Sequence, residues 1–367
     1  MTIYDLPTPV ALIDWTIAQR NIHTAAQLVA GTGAKLRPHF KSHKCVPIAQ
    51  AQLAAGHCAG MTAATVEEAA VLIEAGIADV LIANSVVVPQ KIAQLVQLAK
   101  RATVRVAVNA PENARILSAA AQHAGATVGV LVELSLGHLR WGLAPGPTVV
   151  NLAQQIAALP GLRFDGLQAY HGSGGHLSEA NARAEYSRTT MQAAVEMRQQ
   201  IEASGLPCPI VSGTGTSTFA AVLNLAGLTE LQIGTYVLMD WTFQERTTNL
   251  FQIALTVLAT VISTTPDQFV LDVGMKGVSN RNGPARLPEL TGYEVIPSFS
   301  EEHTLVRLPG HKIRVGDRLQ LQPGHANGTM NLYRQVVVHE GGTVRHIWPI
   351  SATGYAVPAT DTTGSSK

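Results

Sequence analysis

The 367-residue sequence predicts an α/β protein that consists of a (β/α)8 barrel followed by a C-terminal antiparallel β domain. Two observations support this prediction. Residues 14–245 alternate short apolar, β-branched runs with longer segments of helical periodicity, which is typical of parallel sheets covered by helices. Residues 246–355 contain short β-branched runs separated by Gly, Pro and Asn, which favours antiparallel strands.

Eight β–α units in the first segment favour a closed barrel over an open sheet. Each predicted helix has apolar residues at i, i+3, i+4 and i+7, which give it one face toward the sheet. Thr65 followed by Glu68 has the pattern of a capping box at a helix start. The candidate strands are 34–40, 58–63, 79–83, 103–108, 128–134, 164–170, 209–212 and 230–234. The predicted helices are 65–76, 88–100, 111–124, 177–204 and 215–226.

The two patterns divide the chain into two domains. A barrel of this type takes about 250 residues, so we expect it to occupy 14–245. The β domain is expected at 246–355, and a strand-like segment at 8–13 is expected to join it. The small, polar segment 356–367 is expected to be a frayed tail.

Composition excludes several classes of function. The formal net charge is +1 and the basic residues are dispersed, so a nucleic-acid partner is not expected. No run approaches the roughly 20 apolar residues of a membrane helix, and the first residues lack the pattern of a secretory signal. Cys45, Cys58 and Cys208 form no CxxC motif, which predicts reduced thiols in a cytoplasmic protein.

Polar residues follow several of the predicted strands, where barrels of this type place their functional groups. Lys41 lies in RPHFKSHKC after the first strand, where partial burial and nearby cations lower a lysine pKa and free a nucleophilic amine. Arg140 follows the fifth strand in LSLGHLRWGL. Tyr170 and His176 follow the sixth in AYHGSGGHL, and histidine is the usual proton-transfer residue near neutral pH.

The seventh and eighth strands are followed by SGTGTST at 212–218 and GTY at 234–236. Such segments expose backbone N–H groups and hydroxyls that suit a phosphate, and barrels often bind phosphate at these two loops. An amine opposite a phosphate cradle matches the aldehyde and the phosphate of pyridoxal phosphate. A phosphosugar lyase with a Schiff-base lysine matches them equally well, so the residues alone predict a Schiff-base or phosphate-ligand barrel enzyme.

In the β domain, PGHANGTMNLY contains His325 and Asn327. In a strand, residues at i and i+2 share one face, and imidazole and carboxamide together could ligate a divalent cation. A hydrogen-bonded turn is the alternative interpretation.

At these motifs the chain resembles, over nearly its whole length, the D-threonine aldolase and D-serine dehydratase family, which has the alanine-racemase-like fold. RPHFKSHK is similar to the family's cofactor-lysine motif, which implies that Lys41 holds pyridoxal 5'-phosphate as a Schiff base. GHLRWG implies that Arg140 faces the pyridine nitrogen. LQAYHGSGGH implies that Tyr170 contacts the cofactor and that His176 is the catalytic base. VSGTGTST and ELQIGTYVLMD resemble the phosphate-binding segments, which implies roles for Ser212, Gly213, Thr214, Gly234, Thr235 and Tyr236.

The resemblance also implies a metal site of the Mn, Mg or Zn class at His325. The family pairs this histidine with a carboxylate in aldolases or a thiolate in dehydratases, whereas this chain has Asn327. A carboxamide binds divalent metals more weakly than an anion does.

The implied function is a lyase that cleaves D-β-hydroxy-α-amino acids to glycine and an aldehyde, in a cytoplasmic homodimer. A dehydratase for D-serine or 3-hydroxy-D-aspartate is one alternative. A racemase is another, with Tyr293 or Tyr333 as its second acid–base group. A non-catalytic pyridoxal-phosphate carrier is a third, although such carriers resemble the barrel alone.

Overall fold

A computed structural model describes residues 1–137, 140–247, 250–296 and 300–354, apart from the side chains of Ser173 and His176. The tail predicted at 356–367 lies outside the described residues.

The barrel consists of eight parallel strands in the described part of the chain. The first strand of the chain, β1 (Val10–Asp14), belongs to a different sheet. The barrel strands are β2 (Lys35–Leu36), β3 (Met61–Ala63), β4 (Asp79–Ile82), β5 (Thr103–Val108), β6 (Val128–Glu133), β7 (Leu162–Ala169), β8 (Ile210–Gly213) and β9 (Glu230–Leu231). Their order is β2-β9-β8-β7-β6-β5-β4-β3. Parallel bridges from Leu36 to Cys58 and from His39 to Thr62 join the two ends and close the barrel.

Helices cover the outside of the barrel, so strands such as β6 are buried along their whole length. Thr65 starts α3 by accepting a hydrogen bond from the Glu68 backbone N–H (3.2 Å), as the capping pattern predicts. The helices are α1 (Trp15–Val29), α2 (Val46–Ala54), α3 (Val66–Glu74), α4 (Pro89–Ala99), α5 (Pro111–Ala124), α6 (Pro147–Ala158), α7 (Ala180–Ala203), α8 (Trp241–Arg246) and α9 (Ala326–Met330). Among the described residues, none of these helices is both long enough and apolar enough to cross a membrane.

The helix predicted at 215–226 is wrong. That segment forms a loop and a short 3-10 helix, Phe219–Val222. The Thr218 hydroxyl accepts from the backbone N–H of Gly215 (3.1 Å), and such local side-chain bonds compete with helix formation.

A network of buried ion pairs fills the barrel end at which the strands begin. Arg37 is 1% exposed and donates to Glu230 and Asp79, each at 2.6 Å. Arg105 bonds both Asp79 (2.6 Å) and Asp165 (2.7 Å). Because Asp79 and Glu230 begin β4 and β9, this network lies opposite the strand ends that carry the predicted site. Removing one partner from such a pair is costly, since a buried charge is then left uncompensated.

The second sheet is mostly antiparallel. Its additional strands are β10 (Leu255–Thr265), β11 (Gln268–Leu271), β12 (Glu294–Val295), β13 (Thr304–Arg307), β14 (Arg318–Leu321), β15 (Gln335–Glu340) and β16 (Thr343–Pro349). The order is β12-β13-β11-β10-β1-β15-β16, and β14 also pairs with β10. Strand β1 lies antiparallel to β10 and parallel to β15. The pairing of β1 with β15 is the one described parallel pairing in this sheet, which is therefore mixed.

The two sheets do not have wholly separate cores. Part of the second sheet encloses its own cluster, which includes Phe269 and Leu321. Ala326 and Met330 of α9, in contrast, are buried in the large cluster that fills the barrel and its helices. Helix α9 therefore packs with the barrel although it follows most of the β domain in sequence.

Candidate active site

Lys41 lies at the mouth of the barrel. After β2 the chain forms a 3-10 turn, Phe40–Ser42, in which Phe40 and Ser42 are buried and Lys41 is half-buried. The Lys41 Nζ atom lies 5.9 Å from the centroid of the Tyr170 ring. Burial, and then the positive charges of Arg140 and Arg281, lower the pKa of Lys41 to about 8. The amine is thus far more available as a nucleophile than an ordinary lysine.

Tyr170 lies between Lys41 and Arg140. It follows β7 directly, and the guanidinium carbon of Arg140 lies 5.2 Å from the centroid of its ring. Both cations therefore face one aromatic ring. The structure brings these three predicted residues together.

Glu133 is a component of the site that sequence reasoning missed. It ends β6, is fully buried, and its Oε1 atom lies 3.9 Å from the Arg140 guanidinium. Burial raises the pKa of Glu133 to about 9, although Arg140 acts in the opposite direction. A carboxyl kept neutral in this way does not cancel the charge of Arg140. An acidic residue at the end of the apolar run VGVLVE was the available signal.

His176 ends a 3-10 turn, Gly172–His176, but its side chain lies outside the described residues. Its role as the base therefore stays a prediction. The neighbouring His171 is buried, with its ring centroid 6.3 Å from that of Tyr186.

The loop after β8 has the features of an anion cradle. A Cβ atom on Gly213 would lie 2.3 Å from the carbonyl oxygen of Ala169, so only glycine fits there. Thr214 has a φ of 72°, which is rare for a β-branched residue and is typical of functional loops. Its hydroxyl is buried and has no hydrogen-bond partner within the described ranges. A Cβ atom on Gly215 would lie 3.9 Å from the Tyr170 ring, an ordinary van der Waals contact.

The loop after β9 joins this cradle to the lysine turn. A Cβ atom on Gly234 would lie 2.3 Å from Ser42 Oγ, beside Lys41. The Tyr236 backbone N–H donates to Thr216 Oγ1 of the first loop (3.2 Å). The buried Thr214 hydroxyl, which lacks a described partner, fits the phosphate of pyridoxal phosphate, and the amine of Lys41 beside the Tyr170 ring fits its aldehyde.

Two of the predicted cofactor contacts have side chains that are already engaged elsewhere. The Ser212 hydroxyl accepts from Gln232 Nε2 (2.8 Å) inside the barrel. The Tyr236 hydroxyl accepts from Gln52 Nε2 (2.9 Å) and is fully buried. Both side chains are therefore poorer candidates for phosphate contact than Thr214, whose hydroxyl has no described partner.

The strand interpretation of His325 and Asn327 is wrong, because His325 is the N-cap of helix α9 (Ala326–Met330) and Asn327 lies in its first turn; the alternative, a hydrogen-bonded turn, is nearer to what the structure has. His325 caps the helix, with its Nδ1 atom accepting from the Gly328 N–H (3.1 Å). Asn327 Oδ1 accepts from the Thr235 hydroxyl (3.3 Å), so α9 contacts the phosphate-type loop. Helical residues at i and i+2 do not share a face, and the argument from strand geometry fails.

These donors do not fit a divalent cation. The Asn327 carboxamide is neutral and hydrogen-bonded, and one of the two nitrogens of His325 is engaged. Burial and the positive charges of Arg281 and Lys41 lower the pKa of His325 to about 4, and the same charges oppose a further cation. In the described part of the chain, no group of three or more His, Cys, Asp or Glu side chains could hold a metal.

Asp240 fixes α9 on the barrel, and sequence reasoning missed it as well. Its Oδ1 atom caps α8 by accepting from Phe243 N (2.9 Å) and also accepts from Thr242 Oγ1 (2.7 Å). Its Oδ2 atom accepts from Ala326 N (2.8 Å), the first residue of α9. One buried carboxylate thus joins the last helix of the barrel to the helix that carries the His325 segment.

A lysine of lowered pKa, an arginine and a tyrosine beside an anion cradle define a Schiff-base barrel enzyme. Comparison with known families identifies it further. Residues 13–240 match the family described as alanine racemase, N-terminal domain, and residues 254–339 match a putative serine dehydratase domain. The chain belongs to this family of alanine-racemase-like proteins.

Individual relatives agree with this assignment. The chain is 38% identical to a D-threonine aldolase of Arthrobacter sp. over 358 residues, which cover 95% of this chain and 93% of the relative. It is 33% identical to a 3-hydroxy-D-aspartate aldolase of Paracoccus denitrificans over 362 residues, with the same coverage of 95% and 93%. The crystal structure of a D-threonine aldolase from Filomicrobium marinum superposes with a TM-score of 0.93 at 34% identity, over 96% of this chain and 97% of that one.

These findings confirm the predicted family, the barrel with its additional β sheet, and the class of lyase. Pyridoxal phosphate follows as the cofactor from membership of the family, and the site described above fits it.

Proposed function

We propose that this protein cleaves D-β-hydroxy-α-amino acids to glycine and an aldehyde, as an aldolase of the D-threonine type. The observation that carries the proposal is the placement of Lys41, with its lowered pKa, and Arg140 around Tyr170, beside the anion cradle. Similarity to D-threonine aldolases over nearly the whole chain supports it.

The cofactor would be held by groups on two sides of the barrel mouth. Lys41 Nζ would bond to its aldehyde carbon. Its phosphate would lie against Gly213, Thr214, Gly234 and Thr235, where the Thr214 hydroxyl lacks a described partner. Bound in this way, pyridoxal phosphate supplies the electron withdrawal that allows the Cα–Cβ bond of an amino acid to break.

The remaining residues control protons and orientation. The Arg140 guanidinium has only N–H donors, so it would donate a hydrogen bond to the pyridine nitrogen. The neutral Glu133 carboxyl leaves the positive charge of Arg140 uncompensated. Tyr170 would orient the cofactor by contact with its ring. His176 would remove the β-hydroxyl proton of the substrate, a step that a nearby histidine typically accelerates.

We propose further that turnover does not depend on a metal at His325 and Asn327, because the donor set there does not fit one. Activity of the enzyme should then persist after exhaustive treatment with a chelator. Loss of activity on chelation, with recovery on addition of Mn²⁺, would contradict this.

For the wider organisation we propose a cofactor-binding barrel over 14–245 and a β domain over 246–355 that receives the strand 8–13. We also propose a homodimer in the cytoplasm. Free thiols at Cys45, Cys58 and Cys208, whose pKa values burial raises to about 12, are consistent with a reducing compartment. Light scattering after size exclusion tests the dimer.

The central test measures cleavage and the cofactor linkage together. Incubation with D-threonine should release glycine and acetaldehyde in equal amounts, and L-threonine is the matched control. Borohydride reduction followed by peptide mapping should place the cofactor on Lys41. Labelling at Lys44 instead, or release of neither product, would refute the proposal.

A dehydratase is the second candidate, supported by the match of residues 254–339 to a putative serine dehydratase domain. It would convert D-serine to pyruvate and ammonia, which the same assay separates from aldol cleavage. A racemase is less well supported. The Tyr293 hydroxyl accepts from the Leu287 N–H (2.8 Å) within the β domain, and burial raises the pKa of Tyr333.

A further inference from the structure

The segment between β11 and β12 is tied closely to helix α9. The Ser279 N–H donates to Thr329 Oγ1 (3.1 Å), and Arg286 forms an antiparallel bridge with Gln322. Helix α9 itself packs against the turn that carries Lys41. The segment 279–286 is therefore held beside the barrel mouth, and Arg281 lies within it.

Arg281 has a side chain that the rest of the described site does not use. It is exposed and makes no hydrogen bond or ion pair with any residue in the described ranges. Its positive charge nevertheless contributes to the lowered pKa of Lys41, after burial and Arg140, so the guanidinium acts on the site from the β-domain side.

Within the described ranges, no acidic side chain pairs with Arg281. Glu68 of α3 accepts from the Ala64 N–H (2.7 Å) and lies 3.6 Å from Lys44. Glu133 of β6 lies 3.9 Å from Arg140. Lys41, Lys44, Arg140 and Arg281 therefore outnumber Glu68 and Glu133, and this excess of positive charge suits a substrate with more than one carboxylate.

In the proposed reaction the substrate amine displaces Lys41 from the cofactor, so the substrate binds beside Lys41. The phosphate-type loops and Tyr170 border the mouth on the barrel side, whereas α9 packs against the turn of Lys41 and holds the segment of Arg281. A substrate side chain that points away from the barrel therefore comes toward this segment. A guanidinium binds a carboxylate through two parallel hydrogen bonds, with a geometry that a methyl group cannot use.

We propose that Arg281 binds the side-chain carboxylate of the substrate, so that the enzyme prefers D-3-hydroxyaspartate-type amino diacids over D-threonine. This inference rests on the proposed cleavage of D-β-hydroxy-α-amino acids. The similarity to a 3-hydroxy-D-aspartate aldolase is consistent with it.

Steady-state kinetics of Arg281→Gln with both substrates test the proposal. Because a hydrogen bond to a charged group is worth about 1.5–3 kcal/mol, kcat/KM for D-threo-3-hydroxyaspartate should fall about 10- to 100-fold. For D-threonine it should change less than about threefold. Arg281→Lys should restore part of the loss, since it keeps the charge without the paired geometry.

Arg286→Gln is a matched control in the same segment. The Arg286 guanidinium lies 3.7 Å from the ring centroid of Trp241 and pairs with Glu245 at 2.6 Å, so it is already engaged. Neither substrate should respond to this substitution. An equal loss for both substrates in Arg281→Gln would mean that Arg281 binds a part they share, and would overturn the proposal, as would no change for either.

A binding measurement separates this inference from the proposed function. D-Aspartate and D-2-aminobutyrate lack the β-hydroxyl and cannot undergo aldol cleavage, yet both can bind to the holoenzyme. Dissociation constants from cofactor absorbance should rise at least about tenfold in Arg281→Gln for D-aspartate only. If neither hydroxy amino acid is cleaved but this selective effect is found, the proposed function fails and the role of Arg281 stands.

Discussion

The carboxylate of Asp240 offers a way to loosen helix α9 without altering any group at the barrel mouth. Its Oδ1 atom accepts two hydrogen bonds within the start of α8, whereas Oδ2 accepts one, from Ala326 N of α9. In Asp240→Asn the amide oxygen can keep the two bonds of Oδ1. The NH2 group then faces the Ala326 N–H, so one hydrogen bond becomes a contact between two donors.

The size of the effect follows from burial. Asp240 is 0% exposed, and a buried hydrogen bond to a charged acceptor contributes about 1.5–3 kcal/mol. We therefore expect Asp240→Asn to lower the free energy of unfolding by about 2–3 kcal/mol. Since α9 carries the His325 segment to the site, kcat/KM for D-threonine should fall at least about tenfold, while the cofactor stays bound to Lys41.

Urea unfolding followed by circular dichroism, together with steady-state kinetics, measures both effects. Asp14→Asn is the control, because Asp14 also caps a helix but accepts only from Ile17 N (3.1 Å) among the described residues. Its loss should stay below about 0.5 kcal/mol, because Asn caps a helix about as well as Asp does, and its kinetics should be unchanged. Equal behaviour of the two variants would show that Asp240 is an ordinary helix cap and not a link to α9.

Three further predictions concern the barrel. Arg37→Met should lower the free energy of unfolding by about 3–5 kcal/mol in urea titrations, because it removes the cation that Glu230 and Asp79 share. Arg163→Met, at a side chain that is 51% exposed, should cost at most about 1 kcal/mol. Similar losses in the two variants would contradict the stabilising role of the ion-pair network. The rate at which the cofactor adds to the apoenzyme should rise with pH around a midpoint near 8. The reason is that only the unprotonated amine of Lys41 reacts, and the pKa of this amine is lowered to about 8. A midpoint near 10 in stopped-flow absorbance measurements would disprove this. Gly213→Ala should weaken cofactor binding, because its Cβ atom would lie 2.3 Å from a backbone oxygen. Gly215→Ala should bind the cofactor normally, because its Cβ atom would make only ordinary contacts at 3.9 and 4.0 Å. Equal binding by the two variants in equilibrium dialysis would contradict this.

Local patterns were sufficient for much of the fold and for part of the site. Strand periodicity located all eight barrel strands. The rule that functional residues follow the strand ends selected Lys41, Arg140 and Tyr170, and the structure places the first two at the ring of Tyr170. These predictions depend on residues that are close in sequence, so a local sequence pattern is sufficient to make them.

Other parts depend on contacts that no local pattern encodes. Asp240 contacts α9 from a distant part of the sequence, and so does the segment that carries Arg281. The raised pKa of Glu133 depends on burial in the folded chain. The segment at His325 resembled a strand, but its capping bond to Gly328 N makes it a helix start. The base at His176 remains a prediction.

The position of β1 inside the second sheet affects how the chain folds during synthesis. Strand β1 leaves the ribosome before the barrel does, but Leu258 and Val337, which flank it, are made only after the whole barrel. Ala11, Leu12 and Ile13, fully buried in the finished protein, stay uncovered until then. Nascent chains should therefore need shielding of this apolar edge, and fragments that end before β15 should aggregate through it.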